Sequence, residues 1–240
     1  MKHISKLLFV FALLFTIGLS PLGLKAKKVK FTVDMTGLMI QPAGMHITGD
    51  FQTLAGFPGG NFNSGSTPLA REGSTDLYSI VVDIPAFSKY EYKFVNGDQF
   101  YEVEFVPIES RVGYNFNDNR WIYIDSLAPD TTMLPPLIFS GNAAAGFRLV
   151  RFVVDMQMQS SVSSLGVHVA GDFQNWDPST MRMYSFVPNI WEHIGFVDTL
   201  SPDVEFKYYN GNTLGDEESV PSACATNNNR LQLMPKDTVL

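Results

Sequence analysis

Along residues 28–35, KVKFTVDM, apolar and polar side chains alternate: Val29, Phe31, Val33 and Met35 fall on one side, and Lys28, Lys30, Thr32 and Asp34 on the other. A period of two predicts a β-strand with one buried face. The same period runs through YSIVVDI (78–84) and through Phe152, Val154 and Met156. YEYKFV (90–95) ends in Asn96-Gly97 and VEFKYY (204–209) ends in Asn210-Gly211. Asn-Gly tolerates positive φ and predicts a tight hairpin turn after each strand. No window beyond residue 26 carries a helical period. Short alternating strands between turns predict an all-β chain of antiparallel, immunoglobulin-like sandwiches.

The strand blocks recur. FTVDM (31–35) returns as FVVDM (152–156), GMHITGDFQ (44–52) as GVHVAGDFQ (166–174), and YEYKFVNGD (90–98) as VEFKYYNGN (204–212). VEFVP (103–107) shares its last two residues with EESVP (217–221), and NDNR (117–120) returns as NNNR (227–230). The offsets are 121, 122, 114, 114 and 110, in one order. This predicts two tandem copies of one module, with length changes confined to loops. Module 1 is expected over 27–128 and module 2 over 147–240, joined by a Pro-, Gly- and Ala-rich linker at 129–146 whose apolar centre, Leu134 to Phe139, reads alternatively as a last edge strand. Pro235, Asp237, Thr238 and Leu240 echo Pro129, Asp130, Thr131 and Leu134, after which the second copy reads as cut short.

Composition changes this picture at the N-terminus. Lys2 and Lys6 precede the uncharged run LLFVFALLFTIGLS (7–20), then come Pro21 and a small residue, Ala26. That is the layout of a secretory signal peptide over 1–26, and the run is short for a membrane span. The expected destination is the periplasm, the cell envelope or the medium, with no membrane span after cleavage. Removing 1–26 takes away Lys2, Lys6 and Lys25 and no acid, so the formal charge moves from −7 to −10. An acidic surface argues against nucleic acid as a partner. Cys224 is the only cysteine, so the exported protein has no internal disulfide to rely on.

The block order, FxVDM, GxHxxGDFQNWDP, a Trp strand, EFKYYNG, an acidic stretch with Pro, and NNNR, resembles the starch- and glycogen-binding modules. That family includes the glycogen-binding domain of the AMP-activated kinase β subunit and the N-terminal module of glucan branching enzymes. The resemblance covers nearly all of each repeat. It implies sandwiches that hold an α-glucan, as polysaccharide or oligosaccharide, against exposed rings while polar side chains bond the hydroxyls. One such platform binds weakly, roughly millimolar to tens of micromolar. In module 2 the resemblance places the site at Trp176, Lys207 and Asn228 or Asn229, while the second ring falls on Leu214 and is missing. In module 1 Phe100 or Tyr101 fills the second-ring position beside Lys93 and Asn119, and the first ring is replaced near Leu54. On this alignment neither repeat carries both rings. The bland reading of Lys93 and Lys207 is a solvated face paired with Glu91 and Glu205, and Trp191 reads as core.

Catalytic chemistry finds no support. The repeated acids Asp34/Asp155 and Asp50/Asp172 sit at strand ends and turns, where capping is the default, and glycosidases need two carboxylates across a cleft. No phosphate loop, nucleophile elbow or Cys/His pair occurs. His46 and His168 share a repeat position and read as structural, and too few other ligands exist for a metal. Three adjacent acids, Asp216, Glu217 and Glu218, read as solvated surface. The expectation is a non-enzyme without cofactors. A second reading is a structural or protein-interaction sandwich of the envelope, its partner an envelope or secreted protein. The Gly/Asn/Ser-rich insertion AGFPGGNFNSGSTP (55–68) favours it.

Overall fold

A computed structural model describes residues 26–86, 88–113, 117–125, 131–234 and the backbone of 238–239. The expected signal peptide therefore lies outside the described residues, apart from Ala26. Among the described residues no helix is long and apolar enough to cross a membrane. The chain is all-β but for short 3₁₀ turns. In order, the strands are β1 (Ala26–Asp34), β2 (Met45–Gly49), β3 (Ala70–Arg71), β4 (Leu77–Pro85), β5 (Ser88–Asn96), β6 (Arg120–Ile124), β7 (Thr131–Met133) and β8 (Leu137–Ile138). They continue as β9 (Phe147–Asp155), β10 (His168–Gly171), β11 (Tyr184–Val187), β12 (Ile190–Asp198), β13 (Asp203–Tyr209), β14 (Ala225–Thr226), β15 (Asn229–Leu233) and β16 (Thr238–Val239).

Four sheets result. β3-β4-β1-β7, with β8 also beside β1, faces β2-β5-β6, and β11-β12-β9-β16 faces β10-β13-β15-β14. Each facing pair encloses one core. Val29, Phe31, Val33, Ile84, Ile47, Tyr92, Phe94 and Ile124 build the first from both sheets, and Val150, Phe152, Val169, Val197, Val204 and Phe206 build the second. The alternation predicted in 28–35 is realised: Val29, Phe31, Val33 and Met35 are all essentially inaccessible. The central rings repeat from core to core. Phe31 stacks on Phe51 at 5.3 Å and meets Tyr92 edge-on at 4.9 Å, while Phe152 stacks on Phe173 at 5.2 Å and meets Phe206 edge-on at 5.1 Å.

Both Asn-Gly steps depart from the tight-turn expectation. Asn96 N bonds Glu102 O, so the connection is a longer loop through 97–101. The Asn96 amide instead ties down the loop before β2, taking Gln41 N at 3.0 Å and giving to Met39 O at 2.9 Å. A Cβ on Gly97 would collide with the Glu102 carboxylate, which caps the loop through Asp98 N and Gln99 N. Asn210 and Asp216 repeat the device in the second half. Within 134–139, Leu137 and Ile138 lie alongside β1 as an edge strand.

The two halves pack through β6 and the outer face of β9, β11 and β12. Trp121 meets Phe186 at 4.7 Å, Tyr123 meets Tyr184 at 4.9 Å, and Arg151 donates to Arg111 O at 2.7 Å while paired with Glu192. Burial there holds the His193 imidazole down at about 4, so it is neutral.

Candidate carbohydrate-binding faces

The outward faces of β2-β5 and β10-β13 carry the residues singled out by the sequence. The chain leaves β2 at Gly49 and β10 at Gly171, and both positions require glycine. A Cβ there would strike the carbonyl of Glu91 or Glu205 and the ring of Phe51 or Phe173. Asp50 and Asp172 follow, and each carboxylate accepts the backbone N–H of that glutamate, at 2.9 and 3.0 Å. Burial raises both aspartates' pKa values despite these bonds. Their role is to fasten the turn to the neighbouring strand.

The turn then delivers an aromatic ring. Trp176 N donates to Gly171 O at 2.9 Å, with Asn175 and Trp176 both left-handed (φ 61° and 59°). In the first half the residue that donates to Gly49 O, at 3.1 Å, is Phe62, also left-handed at φ 56°. The residues after it match as well. Gln52 Oε1 takes Asn63 N and Gln174 Oε1 takes Asp177 N, both at 2.9 Å. Phe62, not Leu54, therefore occupies the position of Trp176. This corrects the alignment drawn from sequence: the offset falls from 122 at Gln52/Gln174 to 114 at Phe62/Trp176, so the extra residues lie between Gln52 and Phe62. A bulky residue at positive φ costs about 1–3 kcal/mol and persists where the surroundings enforce it. A ring is held so at the same position in both halves.

Phe62 belongs to the set that sequence reasoning missed. The signal was NFN (61–63) against NWD (175–177), at the offset of 114 that the later blocks already showed. With Phe62 in place the first half carries both ring positions. Phe100 and Tyr101 are 81% and 69% exposed and meet edge-on at 5.3 Å. A Cβ on Gly65 would come to 3.4 Å from Asp98, so the two ring-bearing loops adjoin. In the second half Leu214 holds the second-ring position and is exposed.

The polar groups are positioned by glutamates. Asn119 Nδ2 donates to Glu91 Oε2 at 3.0 Å, with Asn117 on the same oxygen, and Asn229 Nδ2 donates to Glu205 Oε2 at 2.8 Å. Glu91 also pairs with Lys89, which together with the asparagines keeps its carboxyl low against burial. Lys93 does not pair with Glu91 as the bland reading supposed. It is buried and bonds Asp118 at 2.6 Å, and Lys93 holds that carboxyl low against burial. The residue matching Asp118 is Asn228, which is exposed. Lys207 is half-buried, and no carboxylate lies at ion-pair distance from it among the described residues. The lysine is thus locked in the first half and available in the second.

The remaining candidates pack or cap. His46 and His168 lie buried, and no cluster suited to a metal occurs among the described residues. Trp191 packs against the second core. Asp216 bonds Thr213 and Glu218 pairs with Arg230, so neither is simply solvated.

No protein-family model and no curated protein matches the chain. Among solved structures it is similar to a family 26 carbohydrate-binding module from Eubacterium rectale in complex with maltoheptaose, at 10% identity over 80% of this chain and 86% of that one, with a TM-score of 0.27. It is also similar to family 41 carbohydrate-binding modules from streptococcal virulence factors, described for α-glucan recognition, at 10% identity over 88% of each chain, with a TM-score of 0.29.

Proposed function

We propose that this is an exported, non-catalytic protein of two tandem sandwich modules, 27–128 and 147–240, that binds an α-glucan by ring stacking. The observation that carries the reading is the recurrence, on the same outward face of both halves, of a left-handed aromatic residue, a lysine and a glutamate-held asparagine. A sugar's apolar face stacks on a ring, and its hydroxyls need donors and acceptors fixed in place. Trp176, Lys207, Asn228 and Asn229 form the site with a free lysine. Phe62, Phe100, Tyr101, Lys93 and Asn119 form the site with more ring surface. The second reading, an interaction sandwich of the envelope that has lost its sugar, draws support from the Lys93–Asp118 pair, which ties up a group the sugar would need.

Calorimetric titration of the protein with maltoheptaose tests the proposal. The expected result is saturable binding in the range of roughly 10 μM to 1 mM, weakened about tenfold or more by Trp176→Ala. Binding that survives Trp176→Ala and disappears with Phe62→Ala moves the principal site to the first half. No heat at millimolar ligand leaves the interaction reading.

A further inference from the structure

Beside its locked lysine the first half carries a ring and a guanidinium that the second half lacks. After the loop through 97–101 the chain returns alongside β5: Val103 bridges Val95, and Glu104 N donates to Phe94 O at 2.9 Å. One residue further in that register sets Phe105 level with Lys93. Alternation fixes the directions. Glu104 and Val106 point inward and are buried, while Phe105 points outward, as Lys93 does, and is 71% exposed.

Arg111 holds this ring. It closes the 3₁₀ turn Ile108–Ser110, and its Nε donates to Val106 O at 2.8 Å, which lays the guanidinium over Phe105 at 5.2 Å from the ring centre. One face of the ring is covered and the other is left to solvent. Among the described residues no acceptor is bonded to the Arg111 Nη groups. Against the effect of burial, Lys93 and Arg111 both hold the Asp118 carboxyl low, so the guanidinium stands near the Lys93–Asp118 pair.

The second half has the opposite set. At an offset of 114, Phe105, Ile108 and Arg111 are matched by Ser219, Ser222 and Ala225. The structure keeps this correspondence: Ala225 closes the turn Ser222–Cys224 and pairs with Arg230, as Arg111 closes its own turn and pairs with Arg120. Ring and guanidinium thus occur where the lysine is locked, and serine and alanine where it is free. Packing does not account for the difference, since Phe105 and Ile108 are both largely exposed.

We infer that Phe105 and Arg111 are a glucan subsite of the first half, in which a glucose residue stacks on the open face of Phe105 and Arg111 donates to its hydroxyls in place of Lys93. An exposed ring beside donors already fixed in position is the pairing that holds a sugar with little ordering cost. The subsite rests on the glucan reading of this face and adds contact beyond Phe62, Phe100 and Tyr101.

The test is calorimetric titration with maltoheptaose of the full protein carrying Trp176→Ala, which leaves binding to the first half. In that background Phe105→Ser and Arg111→Ala copy the second half, and each should weaken binding about fivefold. Phe105→Ser should leave the melting temperature unchanged, because the ring is exposed. Phe105→Trp keeps the platform and should bind at least as tightly as phenylalanine, while Arg111→Lys keeps the charge without the fork and should recover only part of the loss. Affinities within about twofold of the background for both Phe105→Ser and Arg111→Ala, or Phe105→Trp as weak as Phe105→Ser, would overturn the subsite and leave the glucan reading standing. Binding by the unaltered protein but none with Trp176→Ala would also overturn it, and would confine the glucan reading to the second half. No binding by either protein would end both.

Discussion

Glu104–Arg120 and Glu218–Arg230 are the same interaction built twice. In each, the arginine Nε and Nη2 reach the two carboxylate oxygens, and one of those oxygens also accepts the N–H of Phe94 or Tyr208, at 2.9 and 3.0 Å. Yet the first pair is sealed, with side chains 2% and 0% exposed, while in the second Arg230 is 34% and Glu218 21% exposed. Bond geometry does not separate them. The covering does: segment 134–142 lies over the first, with Gly141 O and Ser140 N bonded to it, and among the described residues no matching segment covers the second. A charged pair becomes indispensable when solvent can no longer replace either partner.

The largest expected effect breaks this comparison directly. Arg120→Met strands Glu104 without water and should cost about 3–5 kcal/mol in urea unfolding. Arg230→Met leaves Glu218 within reach of solvent and should cost about 1 kcal/mol. Equal losses would show that the covering segment does not set the difference.

A second, smaller effect concerns the lysines. Asp118→Asn frees Lys93 and, in a Trp176→Ala background, should strengthen maltoheptaose binding about fivefold, equivalent to about 1 kcal/mol. Asn228→Asp installs the lock beside Lys207 and should weaken binding about as much in the otherwise unaltered protein. Calorimetry reads both.

The smallest effect is a pH dependence. Lys93 holds the folded Asp118 carboxyl below its ordinary value of 3.8 although burial opposes this. A depressed acid contributes stability above the unfolded value and loses it as pH falls through the folded one. The melting-temperature difference between the protein and Asp118→Asn should therefore shrink on going from about pH 6 to about pH 3. Asp118 is half exposed, so screening keeps that difference to about a degree.

Much of this was legible in the chain. A strict period of two places Val29, Phe31 and Val33 in the core without reference to anything distant, because a strand with one wet face leaves no other choice. The repeated blocks likewise carried Lys93, Lys207 and the asparagines onto one face. What escaped depends on loops and on partners far apart in sequence. Phe62 was hidden because an insertion shifts register where no periodicity holds it. Asp118 as a lock, and Glu91 and Glu205 as holders of asparagine side chains, appear only once β5 and β6, or β13 and β15, lie side by side. Asn96 and Asn210 show the converse: a residue pair with a strong local turn preference was recruited to tether another loop.

The ring contacts that clamp the halves, Trp121 on Phe186 and Tyr123 on Tyr184, fix more than an interface. On the proposed reading, the packed halves present two weak sugar sites at one set distance. A polymer long enough to reach both meets the second at an effective concentration of order millimolar once the first is engaged. A short oligosaccharide gains nothing. On that reading four aromatic side chains outside the proposed sites set a ruler, and glucans would be told apart by their length rather than by the identity of their residues.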